Sequence, residues 1–461
     1  MKLSAIAFLV VRTAVRSRLL LCLVGFLIPV LVGLPLAVEG DGTAAGEIRV
    51  LLEYTLGLSL VILGVGALVF SCGAVAREIE ERHIQLVVVK PVRTVEIWLG
   101  KWLGMLIVNA ILLCIVGIAV YGGIRWALRS GHYDEAEHSS LKENLLTGRR
   151  QILPLPDDPT SEAVERLDQL TDGQSGLATT RREELFLTLK RHILAERATV
   201  APGGSKTWVF PGSQSMGAER QVRLRFTLAP TVDRSLLAGA WHLGTASKTD
   251  AATVSMADAL NGGNYIEVPQ ALCGSGEPLL VTYRNAEAGQ TGTVVFDIGT
   301  GVELLVSESG FEANLLRSFL VLFFHLAALS ALGLTAGCLF SSPVAGFLSA
   351  ALVFVALMGH YVTLQSVVDT PTLHEEQIDG IERSRVSVFL EGVGERIVKK
   401  MEIVVEPVAG LNPLPPLADG RLVAWTFTGK ALALLGLLYP AVFGAVGTWA
   451  LWKRELALPG E

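Results

Sequence analysis

The chain is short of charge. Asp, Glu, Lys and Arg make up 18% of its 461 residues, against about a quarter in an ordinary soluble domain. That deficit argues against a purely soluble enzyme and against a disordered chain. There is no basic excess either: 38 Lys and Arg stand against 44 Asp and Glu, a formal net charge of −6. A nucleic-acid partner would call for concentrated Lys and Arg on phosphate, so none is expected. Cysteine is scarce. Of five in the chain, only Cys273 falls in the long polar stretch 123–317, whereas Cys22, Cys72, Cys114 and Cys338 lie in or beside apolar runs. A disulfide within the polar stretch is therefore impossible, and that domain relies on its own apolar core.

Catalytic patterns are missing as well. Gly100-Lys101 and Gly429-Lys430 are followed by Trp and Ala, not by the Ser or Thr of a phosphate-binding loop. The chain is not expected to hydrolyse ATP or to be an enzyme, and it offers no catalytic residue. His374-Glu375-Glu376 opens like a zinc-protease motif, but Ile378 occupies the second ligand position. No Gly-x-Ser-x-Gly elbow occurs. The cysteine spacing builds no metal cage, so no metal site is expected.

What the chain has is apolar length. Half of it (51%) is hydrophobic, with a mean hydropathy of +0.49. Six runs carry no Asp, Glu, Lys or Arg: 19–38, 55–76, 102–122, 318–340, 343–366 and 431–452. Each is as long as the roughly 20 residues that a helix needs to cross about 30 Å of hydrocarbon. Six such runs predict a polytopic α-helical membrane protein with six transmembrane helices. Before the first, residues 5–20 place Arg12 and Arg16 one turn apart among apolar neighbours, as in an amphipathic helix lying on the membrane surface.

Basic residues near the helix ends set the orientation. Residues 1–18 hold Lys2, Arg12, Arg16 and Arg18 with no acid. The 77–101 connection holds Arg77, Arg82, Lys90, Arg93 and Lys101, and the tail has Lys453 and Arg454. Both termini and 77–101 are thus expected in the cytoplasm, which leaves 123–317 and 367–430 outside. The absence of Asn-x-Ser/Thr sites fits a bacterial inner membrane. The expected division is 1–122 (surface helix and spans one to three), 123–317 (external domain), 318–366 (spans four and five), 367–430 (external loop) and 431–461 (span six and tail).

The external domain reads as α+β. Residues 130–200 look helical, with a capping box at Thr180–Glu183. From 205 to 310 the period becomes two: Val222, Leu224 and Phe226 alternate with Arg223 and Arg225, and strand-like runs follow at 279–284, 293–298 and 302–306. Short, regular strands of this kind suggest a β-sandwich or jelly roll. Trp208, Phe210, Trp241, Tyr265 and Tyr283 suit its core better than a sugar-stacking surface. Within the spans, Asn109, His325 and His360 are polar groups that hydrocarbon makes costly. They serve helix–helix hydrogen bonding or line a substrate path.

The 77–101 connection concentrates the signal. Arg77-Glu78-Ile79-Glu80-Glu81-Arg82 extends span two as a charged helix. Pro91 breaks it. An amphipathic piece with Val95, Ile97 and Trp98 is expected to run along the surface, and Gly100 and Gly104 allow a close helix approach at the start of span three. With the turn Lys90-Pro91-Val92-Arg93 and the sequence Leu99-Gly100-Lys101, this elbow resembles the first cytoplasmic loop of ABC-2 type permeases, the membrane subunits of ABC exporters. The six runs and the basic tail Lys453-Arg454-Glu455 are similar to that family too.

The resemblance implies a transport subunit without its own motor. It would work with two copies of a separate ABC ATPase subunit, which hold the ATP and Mg, and with a second permease subunit in a homo- or heterodimer within membrane lipid. No cofactor would bind the chain itself. Arg77, Glu78, Glu80, Glu81 and Arg82 match the coupling helix, and Pro91, Arg93 and Lys101 the turn beyond it. The large 123–317 domain departs from the simplest members of the family. Export of a lipid-linked or glycan substrate is the reading it suggests. The alternatives are mechanical work on an envelope partner through that domain, or a membrane-anchored sugar- or protein-binding module.

Overall fold

The computed structural model describes residues 2–37, 48–81, 93–129, 146–171, 179–212, 220–229, 237–248, 251–261, 264–273, 276–286, 289, 291–297, 301–368 and 410–453. The chain forms two compact units, one of apolar helices and one built from Arg149–Ser309.

Among the described residues of the helical unit, four helices are long and apolar enough to cross a membrane: Val50–Glu80, Thr94–Arg129, Phe311–Leu339 and Trp425–Lys453. A fifth span arises if Lys2–Val15 and Arg18–Gly33, bent by 62° at their junction, count as one. The remaining apolar run, 343–366, lies in the helix Ser342–Val368, whose apolar part among the described side chains is Ser342–Val355. The bend after Val15 is a helix start rather than a kink. Ser17 is extended, and its Oγ accepts from Leu20 N at 3.2 Å, satisfying one of the donors that a new helix leaves open. Three stretches are π-helical: Pro29–Gly33, Val50–Thr55 and Leu432–Leu438.

Glycines set the helix contacts. A Cβ on Gly333 would stand 2.7 Å from Leu68 O, and one on Gly337 would stand 2.5 Å from Cys72 O. The 311–339 and 50–80 helices therefore touch backbone to backbone and run the same way, in the small-xxx-small manner of membrane helix pairs. Gly100 and Gly104 do the same for the N-terminal helix. A Cβ at Gly100 would meet Ile6, and one at Gly104 would meet Val10 and Ala7 O at 2.8 Å. Beyond that contact Ala14, Val108, Leu112 and Leu113 share one buried cluster.

Sequence and structure differ at the edges of the spans. The fourth helix begins at Phe311, straight after Gly310, and so takes in Glu312 and Arg317, whose charges end the apolar run at 318. The piece around Val95, Ile97 and Trp98 is not a separate surface segment. Thr94–Arg129 is one helix of 36 residues, with Ile97 and Trp98 each 2% exposed. Their burial among other helices removes the free apolar face that a surface helix needs.

The second unit contains two four-stranded sheets. One has the order β1 (Thr147–Ile152), β10 (Val302–Gly310), β4 (Val222–Phe226), β7 (Tyr265–Glu267). The other has the order β3 (Ser205–Phe210), β8 (Leu279–Asn285), β5 (Gly239–Thr245), β6 (Ala252–Ser255). A ribbon of β2 (Thr199–Val200) and β9 (Val294–Val295) stands apart. The alternation read at 222–226 is real: Val222, Leu224 and Phe226 lie opposite Val306, Leu304 and Val302, and all six belong to one core with Phe210, Trp241, Leu243, Val281 and Tyr283 of the other sheet. The two sheets thus close on a single apolar interior.

The aromatics fill that interior, as expected. Phe210, Trp241 and Tyr283 are 0% exposed. The Trp241 ring lies 5.0 Å from both Phe226 and Tyr283, and Trp208 packs alongside at 5.9 Å. Burial pushes the Tyr283 hydroxyl up to about 12, while it donates to Ala238 O at 3.2 Å. Tyr265 is half-buried on β7, outside that cluster.

The 130–200 stretch is not wholly helical. Helices Thr160–Thr171 and Thr179–Ala198 lie within it, the second starting one residue before the predicted Thr180, but Thr147–Ile152 is the edge strand β1. Thr-Gly-Arg-Arg-Gln-Ile has no apolar alternation. It is a strand because its polar side chains find partners across the sheet: Gln151 Nε2 donates to the fully buried Glu303 at 2.6 Å, and Arg150 pairs with Glu308 at 2.9 Å.

The two helices are tied by ion pairs. Arg197 bridges Asp157 and Glu162, and Arg166 reaches Glu162 and Glu196. The Arg197 hydrogen bond holds the Glu162 carboxyl below its usual range, and hydrogen bonds from Thr160 do the same for Asp158. A carboxylate whose pKa is lowered by folding stabilises the fold above its unfolded pKa, and the gain is lost as pH falls through the folded value. Stability of this unit should accordingly be level above the ordinary carboxylate range and fall as the pH drops below about 4. Tryptophan-detected melting from pH 6 to 3 reads this, and Glu162→Gln should flatten the drop.

Candidate functional site

Eight elbow residues carry the sequence-based expectation, and the structure places six. Arg82 and Pro91 lie outside the described residues. Arg77, Glu78, Glu80 and Glu81 end the 50–80 helix, Arg93 immediately precedes the 94–129 helix, and Lys101 lies two turns into it.

Glu78 and Lys101 face each other. Lys101 Nζ is 2.5 Å from Glu78 Oε1 and donates to Ala74 O at 2.6 Å, with the lysine side chain 4% and the glutamate 33% exposed. An ammonium so far from water needs both partners. This pair is internal: it fastens the outgoing limb of the elbow to the incoming one. Glu80 is also engaged, its Oε1 accepting from Ser342 N at 2.8 Å. A carboxylate there satisfies one of the donors that the 342–368 helix leaves open at its N-terminus, and it complements the helix dipole. Arg77, Glu80, Glu81 and Arg93 are all exposed. The Arg93 N–H donates to Glu96 Oε2 at 3.0 Å, the backward reach of a glutamate in the first turn.

Trp98 completes the arrangement, in a helix junction rather than on the surface piece expected from the sequence. Its ring fills the space beside Gly444 and Gly447, where a Cβ would stand 3.0 Å and 2.7 Å from it. Around it Val75, Leu334, Cys338, Ala450 and Leu451 form one buried cluster. Four helices therefore meet at Trp98: 50–80, 94–129, 311–339 and 425–453. Thr335 adds a hydrogen bond from its Oγ1 to Phe443 O at 2.8 Å. The double absence of a side chain at 444 and 447 was the only clue in the sequence that a large ring docks there.

Comparison with family models, curated proteins and solved structures gives no match. The elbow stands on its own residues. Four exposed charged residues, Arg77, Glu80, Glu81 and Arg93, sit on a base locked to three other helices, so a force on that surface reaches several helices at once.

The polar residues of the spans do not converge. Asn109 is 2% exposed, and its Nδ2 donates to Ser330 Oγ at 2.9 Å, joining the 94–129 and 311–339 helices. His325 Nδ1 lies 2.9 Å from Val321 O, one turn back on its own helix. Five residues separate His325 from Ser330, about 140° around the helix, so Asn109 and His325 do not share a face. The His360 side chain lies outside the described residues. No group of three or more His, Cys, Asp or Glu that could hold a metal occurs among the described residues.

At the other end of the helical unit, Asn314 pins the chain before the last helix. Its Nδ2 donates to Arg421 O and its Oδ1 accepts from Val423 N, each at 2.8 Å. Nearby Arg317 lies over the exposed Trp425 ring at 5.0 Å. The contacts fix where the 425–453 helix starts.

Proposed function

We propose that this chain is the membrane subunit of an ABC-2 type exporter, with six spans, cytoplasmic termini and an elbow at 77–101 that takes the push of a separate ATPase. Two ATPase subunits and a second permease subunit would complete the machine, in a bacterial inner membrane. The observation that carries the reading is the build of the elbow. Glu78–Lys101, Glu80–Ser342 and Trp98 make its base rigid, while Arg77, Glu80, Glu81 and Arg93 are exposed. A coupling element needs both properties: a surface for a partner, and a stiff link to helices that have two arrangements.

The internal contacts narrow the docking set. Glu78 is held within the subunit by Lys101, so the exposed Arg77, Glu80, Glu81 and Arg93 are the residues assigned to the partner. The 149–309 unit would lie outside and handle cargo. With β2 and β9 left out, its eight remaining strands run 1-8-3-6 and 2-7-4-5, an order that supports a jelly roll. A glycan or lipid-linked cargo rests on that fold-level analogy alone.

The test is purification in mild detergent from the native membrane. A Walker-type ATPase should copurify, and Arg77→Glu/Glu81→Lys should cut the coupled ATPase rate at least tenfold while the melting temperature stays put. Recovery of the intact protein without any ATPase, or labelling of residue 81 from outside the cell, would refute the proposal.

A further inference from the structure

Among the described residues, Arg12, Arg16 and Arg18 are exposed, with no hydrogen bond and no ion pair. Residues 1–38 contain no acid. These cations do not stand in a polar setting. Phe8, Leu9 and Val15 beside them are 68%, 52% and 61% exposed. The opposite face of the same helix, through Ala7, Val10 and Ala14, is buried, with Val10 against Gly104. Gly104 lies one turn beyond Lys101, where the charged elbow gives way to apolar span. Ile6 lies at Gly100, Val10 at Gly104 and Ala14 with Val108 and Leu112, so the two helices run the same way. Arg12 and Arg16 therefore lie about one to three turns beyond Lys101, beside the apolar part of the 94–129 helix and bordered by apolar side chains bare of protein. An unpaired guanidinium there needs an anionic partner. Arg12 and Arg16 are one turn apart on one face, and the 62° bend brings in Arg18 at the start of the next helix.

We propose that this N-terminal corner is a binding site for the phosphate headgroup of an anionic phospholipid in the elbow-side leaflet. Guanidinium is the side chain best suited to phosphate oxygens, and Phe8, Leu9 and Val15 would lie along the acyl chains. The site rests on the helical unit being in a membrane and goes beyond the exporter reading, which could fail without affecting it.

The test uses the full chain in detergent, with native mass spectrometry counting bound phosphatidylglycerol or phosphatidylcholine of identical acyl chains. A basic residue near an anionic surface contributes about fivefold in affinity, so phosphatidylglycerol should bind at least tenfold tighter. Arg12→Gln/Arg16→Gln/Arg18→Gln should remove that preference, and the triple Lys variant should keep most of it. Melting in phosphatidylcholine should be unchanged in both. If the triple Gln variant fails to fold, Arg12→Gln/Arg16→Gln carries the same test. Equal binding of the two lipids by the wild type, or an undiminished preference in the Gln variants, would overturn the site. So would inorganic phosphate that displaces phosphatidylglycerol at equal concentration, because the ligand would then be the free anion.

Discussion

Gly337→Leu is expected to leave little folded protein. At this position a Cβ would stand 2.5 Å from Cys72 O and 3.2 Å from Cys72 C. The obstacle is backbone, which cannot rotate away as a side chain can. Overpacking a core costs about 1–3 kcal/mol when neighbours yield. Here Gly333, one turn earlier, is pressed against Leu68 O at 2.7 Å, so the helices cannot separate at one point without losing the next. A loss of about 3 kcal/mol or more is expected, seen as aggregation on size-exclusion chromatography or a melting temperature lowered by many degrees. Gly346→Leu is the control, because nothing lies within 4 Å of a Cβ there. Equal melting of Gly337→Leu and wild type would disprove the backbone contact.

The second large effect concerns Lys101. Glu78→Leu removes the carboxylate and leaves an ammonium 4% exposed with one carbonyl. Breaking a buried pair from one side costs about 3–5 kcal/mol. The lower part of that range applies, because Glu78 is itself a third exposed. Lys101→Met should cost less, since Glu78 can turn to water. The double variant Glu78→Leu/Lys101→Met should recover most of the loss, giving a coupling energy of about 1–3 kcal/mol. Purely additive melting shifts would mean that the two residues do not act as a pair.

The sequence made some of this visible and hid the rest for physical reasons. Gly100 and Gly104 announced a close helix approach, because two small residues one turn apart at the entry to an apolar run bare one face of the helix. Their partner was hidden, since spacing says that a face is bare but not which helix covers it. It is Lys2–Val15. The Val222–Phe226 alternation was legible because it pairs with an apolar strand. The strand at Thr147–Ile152 was not, because its place depends on Glu303 and Glu308, more than 150 residues away. The sequence resemblance puts Lys101 in the turn beyond the coupling helix, as a residue for the partner. Its burial follows from Glu78 lying opposite, on the far side of a break. Of the expected coupling residues, the sequence supplied the cluster but could not show that Glu78 turns inward to Lys101 while Arg77, Glu80, Glu81 and Arg93 remain exposed.

The wide turns at Pro29–Gly33, Val50–Thr55 and Leu432–Leu438 bear on which length changes the chain can absorb. A π turn is an α-helix holding one surplus residue, with the faces before and after it kept in phase. Deleting a single residue within 432–438 would relax the turn to α and leave Trp449 and Trp452 pointing where they do now. The same deletion within 440–447 has no surplus to draw on. It would swing everything beyond it by about 100° and tear the Gly444–Gly447 notch away from Trp98. Each wide turn is thus a slot where descendants of this gene can shorten without losing register.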